Sequence, residues 1–146
     1  MPGSSRFAVA VHVLALMAYY EGEAVKSDDL ACSVNTNPVV IRRILCALSK
    51  AHLVTSQTGA TGGSKLARRP EGITLLEVYR AVESEMMFSR HRQRPDRHCP
   101  VGRNIESALE HVFDKVDVGL QQVLSKISVQ DVLARMGSNK TAKRSR

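Results

Sequence analysis

Residues 58–75, TGATGGSKLARRPEGITL, set Gly59, Gly62 and Gly63 beside Lys65, Arg68 and Arg69. Glycines next to a lysine can do two kinds of chemistry. Backbone N–H groups freed by positive φ can cradle the phosphates of a nucleotide, or a hairpin tip can approach a longer polyanion closely. The nucleotide reading fails on its own requirements. A phosphate loop needs lysine directly after the last glycine and then Ser or Thr for magnesium, whereas Ser64 separates Gly63 from Lys65 and Leu66 follows. The KLAR that comes next reads as a strand, so no helix N-terminus would face a triphosphate. HLVTSQT before it alternates as a strand too, which makes the segment a hairpin with GATGGS as its turn.

Cysteine offers the other candidate chemistry. In DRHCPVGRN, Cys99 precedes Pro100, a favoured first helical residue, with Arg97, His98 and Arg103 nearby. A sulfur at a helix N-terminus among cations is drawn toward the reactive thiolate; the alternative is a small residue packed in a hinge. Cys32 and Cys46 stand apart from it and from each other, with no C-x-x-C pair, which argues against structural disulfides and zinc. His91 and His98 could join Cys99, but among arginines they are a poor cation site, and the expectation is no metal. No catalytic triad, carboxylate pair or metal motif emerges, so an enzyme is the weakest class.

These groups need elements to hold them. Ser4 and Ser5 can cap a first helix whose positions Phe7, Ala10, Val11, Leu14 and Met17 share one face, ending at Gly22. SDDLACSV reads as a short helix with Ser27 as N-cap and Asp28 and Asp29 in its first turn. NTN turns the chain, and Asn37 with Pro38 starts the helix PVVIRRILCALSKA. At roughly 100° per residue, Ile41, Ile44, Leu45 and Leu48 pack inward, leaving Val39, Arg43, Cys46 and Lys50 outward and Arg42 at the flank. Helix, tight turn and second helix with a cationic face match a helix–turn–helix; the alternative for that face is plain solvation. The hairpin directly behind it is then a wing, and Lys65 with the glycine N–H groups can meet DNA phosphates.

Thr74 and Glu77 form a capping box, stapled by Ile73 and Val78, for the next helix. Residues 88–98 lack periodicity and read as a basic loop. A long helix from Pro100 to Ile127 carries Ile105, Leu109, Val112, Val116, Leu120, Val123 and Ile127 at steps of four and three. Its ~26 residues span roughly 40 Å, more than one small domain needs, so a second subunit is expected to bury part of the stripe. SVQDVLARMG closes the fold as a short helix with Ser128 and Asp131 as capping box and Gly137 as stop. The expected architecture is mainly α with a small β-hairpin. Residues 1–84 make a winged helix–turn–helix domain, 85–99 a basic hinge, 100–136 the dimerisation helix and a short C-terminal helix, and 137–146 a basic tail.

Composition sets the outer bounds. The chain has 146 residues, 43% of them hydrophobic, enough for one core; aromatics are only 4% and Trp is absent, which disfavours a stacking platform for single strands. The net charge of +7 owes much to the tail, whose Lys140, Lys143, Arg144 and Arg146 meet no acid. That tail is either a solvated end or a weak phosphate-seeking arm. FAVAVHVLALMAYY is too short to span a bilayer and is broken by His12, so a cytoplasmic protein is expected.

The runs NPVVIRRILCALSKAHLVTS, GGSKLARRPEGITLLEVYRAVE and SVQDVL, in this order, resemble the Rrf2 family of bacterial winged-helix regulators across residues 4–136. The resemblance implies a homodimer joined through the long helix, binding an imperfect palindrome in double-stranded promoter DNA, most often as a repressor. The DNA contacts it implies fall on Asn37, Val39, Val40, Arg42 and Arg43 and, in the wing, on Gly62, Gly63, Ser64 and Lys65. Two departures stand out. Many members have Arg, Pro, Gly and Tyr where this wing has Thr58, Ala60, Thr61 and Ser64, so a minor-groove arginine is missing. Cluster-binding members place three cysteines before the long helix, where this chain has Cys99 alone, so no iron–sulfur cluster is expected. The competing class is a protein-interaction module that binds a metabolic enzyme, as a cluster-less relative does.

Overall fold

Apolar residues run around much of α1 (Arg6–Tyr19), and the helix is correspondingly sunk in the protein: Ala10, Val13, Leu14 and Met17 are buried, while Phe7 and Val11 are half-buried. The computed structural model describes residues 4–84 and 87–137; the cationic tail from Ser138 onward lies outside the described residues. Ser5 holds the N-cap position of α1 without a side-chain bond, and the Ser4 hydroxyl instead accepts from the Arg6 N–H at 3.2 Å. After Gly22, at φ +89°, comes α2 (Ser27–Val34). Its N-cap is Lys26, so Ser27 is the first helical residue and not the cap expected for it; Asp28 and Asp29 do lie in the first turn.

Asn35 ends α2 in the left-handed region at φ 61°, a conformation asparagine tolerates better than most residues. Asn37 then caps α3 (Pro38–Lys50), its Oδ1 accepting the Val39 N–H at 2.9 Å. The turn is short because asparagine supplies both its ends. Ile41, Ile44, Leu45 and Leu48 are buried as their spacing requires.

The hairpin pairs β1 (Val54–Gln57) antiparallel with β2 (Gly63–Leu66), Thr55 opposite Lys65 and Gln57 opposite Gly63. The second strand therefore starts at Gly63, two residues before KLAR. The reason is a third backbone: Val25 and Ser64 exchange N–H···O bonds of 2.8 Å in both directions, which draws Gly63 and Ser64 into the ladder.

A 3-10 turn (Pro70–Gly72), not foreseen, leads to α4 (Leu75–Val82). The Thr74 hydroxyl accepts the Glu77 N–H at 3.2 Å while the Glu77 carboxylate accepts the Thr74 N–H at 3.0 Å, completing the capping box. Burial alone would raise the Glu77 pKa, but the Thr74 N–H, the Arg68 guanidinium 3.0 Å away and the Thr74 hydroxyl outweigh it and hold the carboxyl below its usual value. A depressed carboxyl contributes stability above its unfolded pKa and loses it as pH falls through the folded one. Thr74→Ala is accordingly expected to cost about 1 kcal/mol, read by thermal melts at neutral pH, with the difference shrinking once Glu77 is protonated.

Residues 87–98 run back along α5 (Pro100–Ser125), with Phe88 stacked on Phe113 at 5.3 Å and Arg90 paired to Glu110 at 2.8 Å. Of the 26 residues of α5, Leu124 is buried. α6 (Val129–Arg135) opens on the Ser128–Asp131 capping box and returns to the winged domain. Leu75 donates to the Ile127 carbonyl at 2.8 Å, Val129 donates to that of Ile73 at 2.9 Å, and Val129 lies in the common core. Packing thus seats α6 on α1, where a division at residue 99 groups it with α5.

Candidate nucleic-acid interface

The outer face of α3 and the hairpin border one open groove of about 450 Å3. From α3 come Arg42, Cys46 and Lys50; from the hairpin come Ser56, Gln57 and Gly63; Ser27 of α2 adds a hydroxyl. On the first turns of α3, Val39 and Val40 are 46% and 38% exposed, so two branched apolar side chains face water beside Arg42 and Arg43. Among the described residues Arg42, Arg43, Lys50 and Lys65 enter no ion pair, which leaves their charges available to a partner. Guanidinium forks bind phosphate or the O6 and N7 of guanine, and small apolar groups touch the thymine methyl, so the face has the chemistry to read duplex DNA.

The residues implied for contact are not equivalent. Asn37 is exposed, but its Oδ1 is spent on capping. Lys65 is half-buried on β2 and faces Thr55 across the ladder. Gly62 and Ser64 are buried, Ser64 to 5% exposure, with its hydroxyl 3.5 Å from that of Ser56. A hydroxyl turned inward shapes the wing and does not reach out from it. Ser27, Ser56 and Gln57 were missed from sequence. Only the Val25–Ser64 bridge brings Ser27 and β2 together, and a one-residue bridge leaves no pattern in EAVKS.

Cys99 occupies the N-cap of α5, fully exposed. The backbone N–H groups of Gly102 and Val101 lower its pKa below the usual thiol value, so the helix N-terminus supplies the effect. Cys32 on α2 and Cys46 on α3 are free and exposed as well.

The chain matches the Rrf2 family, described as "Iron-dependent Transcriptional regulator", over residues 3–135. YwnA of Bacillus subtilis (strain 168), named among HTH-type transcriptional regulators, is 44% identical over 131 residues, covering 89% of this chain and 96% of YwnA. Among solved structures, T. potens IscR superposes with a TM-score of 0.71 at 23% identity, covering 96% of this chain and 91% of IscR. CymR, the global cysteine regulator of B. subtilis, gives 0.69 at 18%, covering 92% and 98%. These two likenesses concern the fold. The iron in the family's description finds no fitting donor set here. The cysteines stand on three separate elements, and no group of three or more His, Cys, Asp or Glu gathers at metal-binding distance among the described residues. Family match, long coverage by YwnA and the winged helix–turn–helix architecture agree: the chain belongs to the Rrf2 family and is a DNA-binding transcriptional regulator.

Proposed function

We propose that the protein is a homodimeric repressor of an imperfect palindrome, with no iron–sulfur cluster, and that it responds to thiol-reactive signals through Cys99. In this reading α3 enters the major groove, where Val39, Val40, Arg42 and Arg43 meet base edges and phosphates, while the wing lays Gly62, Gly63 and Lys65 against the adjoining backbone, Ser64 holding it in shape. The observation that carries it is the unpaired cationic and valine face of α3 standing beside the hairpin across one groove. Anisotropy titrations on the gene's own upstream duplex are expected to give nanomolar-range, sequence-selective binding that weakens steeply with salt. Equal affinity for scrambled duplex contradicts the reading.

Dimerisation is supported by α5. Val112 and Val123 are 51% and 59% exposed, Val116 is exposed as well, and Ile105, Leu109 and Leu120 are half-buried along the same stripe. A stripe of this length in water is the mark of a missing partner.

For Cys99 the lowered pKa gives a kinetic prediction. The pH profile of its alkylation is expected to have a midpoint below the ordinary thiol range near 8.5, because the thiolate is the attacking form. Electrophile treatment is expected to release DNA from the wild type and not from Cys99→Ser. Release that persists in Cys99→Ser removes Cys99 as the sensor.

A further inference from the structure

A second groove, of about 550 Å3, runs between α1 and α6. Its walls are Ala8, Val11, Ala15 and Leu16 of α1 and Val132 and Leu133 of α6. Ala8 and Ala15, seven residues apart, share one helical face and leave a shallow apolar trough between larger neighbours. Its polar content includes the His12 Nε2 to Ser33 Oγ hydrogen bond, 2.9 Å long. The chain's own α5 is engaged along α4, and the residues after Gly137, SNKTAKRSR, are too polar to fill such a trough.

The α5 stripe poses the complementary problem. From Val101 to Leu120 its apolar positions spread over roughly 100° of arc, wider than the narrow seam two paired helices bury. Contact between the two α5 helices alone would leave a flank of the stripe wet. It would also fall short of the roughly 20 residues a side that a stable interface takes.

We infer that the α1/α6 groove of each protomer receives the α5 flank of the second copy, two-fold symmetry making the exchange reciprocal. The inference rests on the homodimer reading and specifies which surface answers the stripe. It has a regulatory consequence: Ser33, on the helix just before the recognition helix, borders the groove, so the partner's seat adjoins the element that sets α3.

Sedimentation velocity on the full chain, across a concentration series, tests it with Ala8→Trp and Met136→Glu. Both change exposed residues at the groove, so the protomer fold, followed by circular dichroism, is expected to survive. Each variant is expected to raise the dimer dissociation constant at least about tenfold, a difference of ~1.4 kcal/mol. Val112→Asp, on the stripe itself, serves as the positive control. Wild-type dissociation constants in both groove variants, with Val112→Asp monomeric, give the groove to another occupant and overturn the inference while leaving the homodimer intact. A monomeric wild type overturns the homodimer reading and the inference with it.

Discussion

Gly63→Ala is expected to unseat the wing. A methyl at this position would stand 2.6 Å from the Val25 carbonyl oxygen, and the backbone φ of +145° is one that L side chains rarely adopt. The two effects reinforce each other. Strain of this kind is of order 1–3 kcal/mol, and the paired Val25–Ser64 hydrogen bonds, each worth about 1 kcal/mol net, are the contacts that must yield. Melting is expected to fall by roughly 5–10 °C. DNA affinity is expected to drop on the order of tenfold or more, since a displaced hairpin removes Lys65 and the glycine N–H groups from the backbone. Gly72→Ala is the matched control: nothing lies within 4 Å of the added carbon, and a small change is expected. Calorimetry and anisotropy on both variants check this. Unchanged melting in Gly63→Ala means that Val25 does not hold the wing.

Replacing Arg42 and Arg43 together with alanine is expected to produce the opposite pattern, an intact fold with nearly abolished recognition. Both side chains are exposed and outside any ion pair among the described residues, so stability is expected to stay within about 0.5 kcal/mol. An arginine that grips guanine contributes about 1–3 kcal/mol of discrimination, and a dimer presents each residue twice. A loss of specific affinity on the order of a thousandfold follows. Salt titrations of the single variants separate the roles. A phosphate-binding arginine lowers the salt slope by about one while sparing selectivity, whereas a base-reading one relaxes selectivity at one position.

The parts of this interface that sequence revealed are those fixed by local chemistry. Asn37, Pro38 and the inward quartet Ile41, Ile44, Leu45 and Leu48 define α3 and its outer face within one stretch of chain. The Thr74–Glu77 and Ser128–Asp131 boxes are likewise local. What escaped depends on distant backbone. Ser64 reads as an exposed wing residue until Val25, on the far side of the helix–turn–helix, pairs with it and fixes its hydroxyl inward. α6 reads as a continuation of α5 until the Leu75–Ile127 and Val129–Ile73 bonds fold it back. Ser27 could be taken for a cap because serine favours that place, yet Lys26 holds it, and a short helix packed on α1 and α3 does not depend on side-chain capping. The dispersed cysteines, by contrast, were legible, since separation along the chain became separation on α2, α3 and the start of α5.

Footprinting on the gene's upstream duplex, run beside the Arg42→Ala, Arg43→Ala double variant, bears most directly on the central claim that paired α3 helices and wings read DNA. The expected result is two protected half-sites related by two-fold symmetry, about 10 base pairs apart centre to centre, occupied by one dimer and empty with the variant. Diffuse, salt-dissolved coverage without a preferred site, or identical protection by the variant, contradicts it.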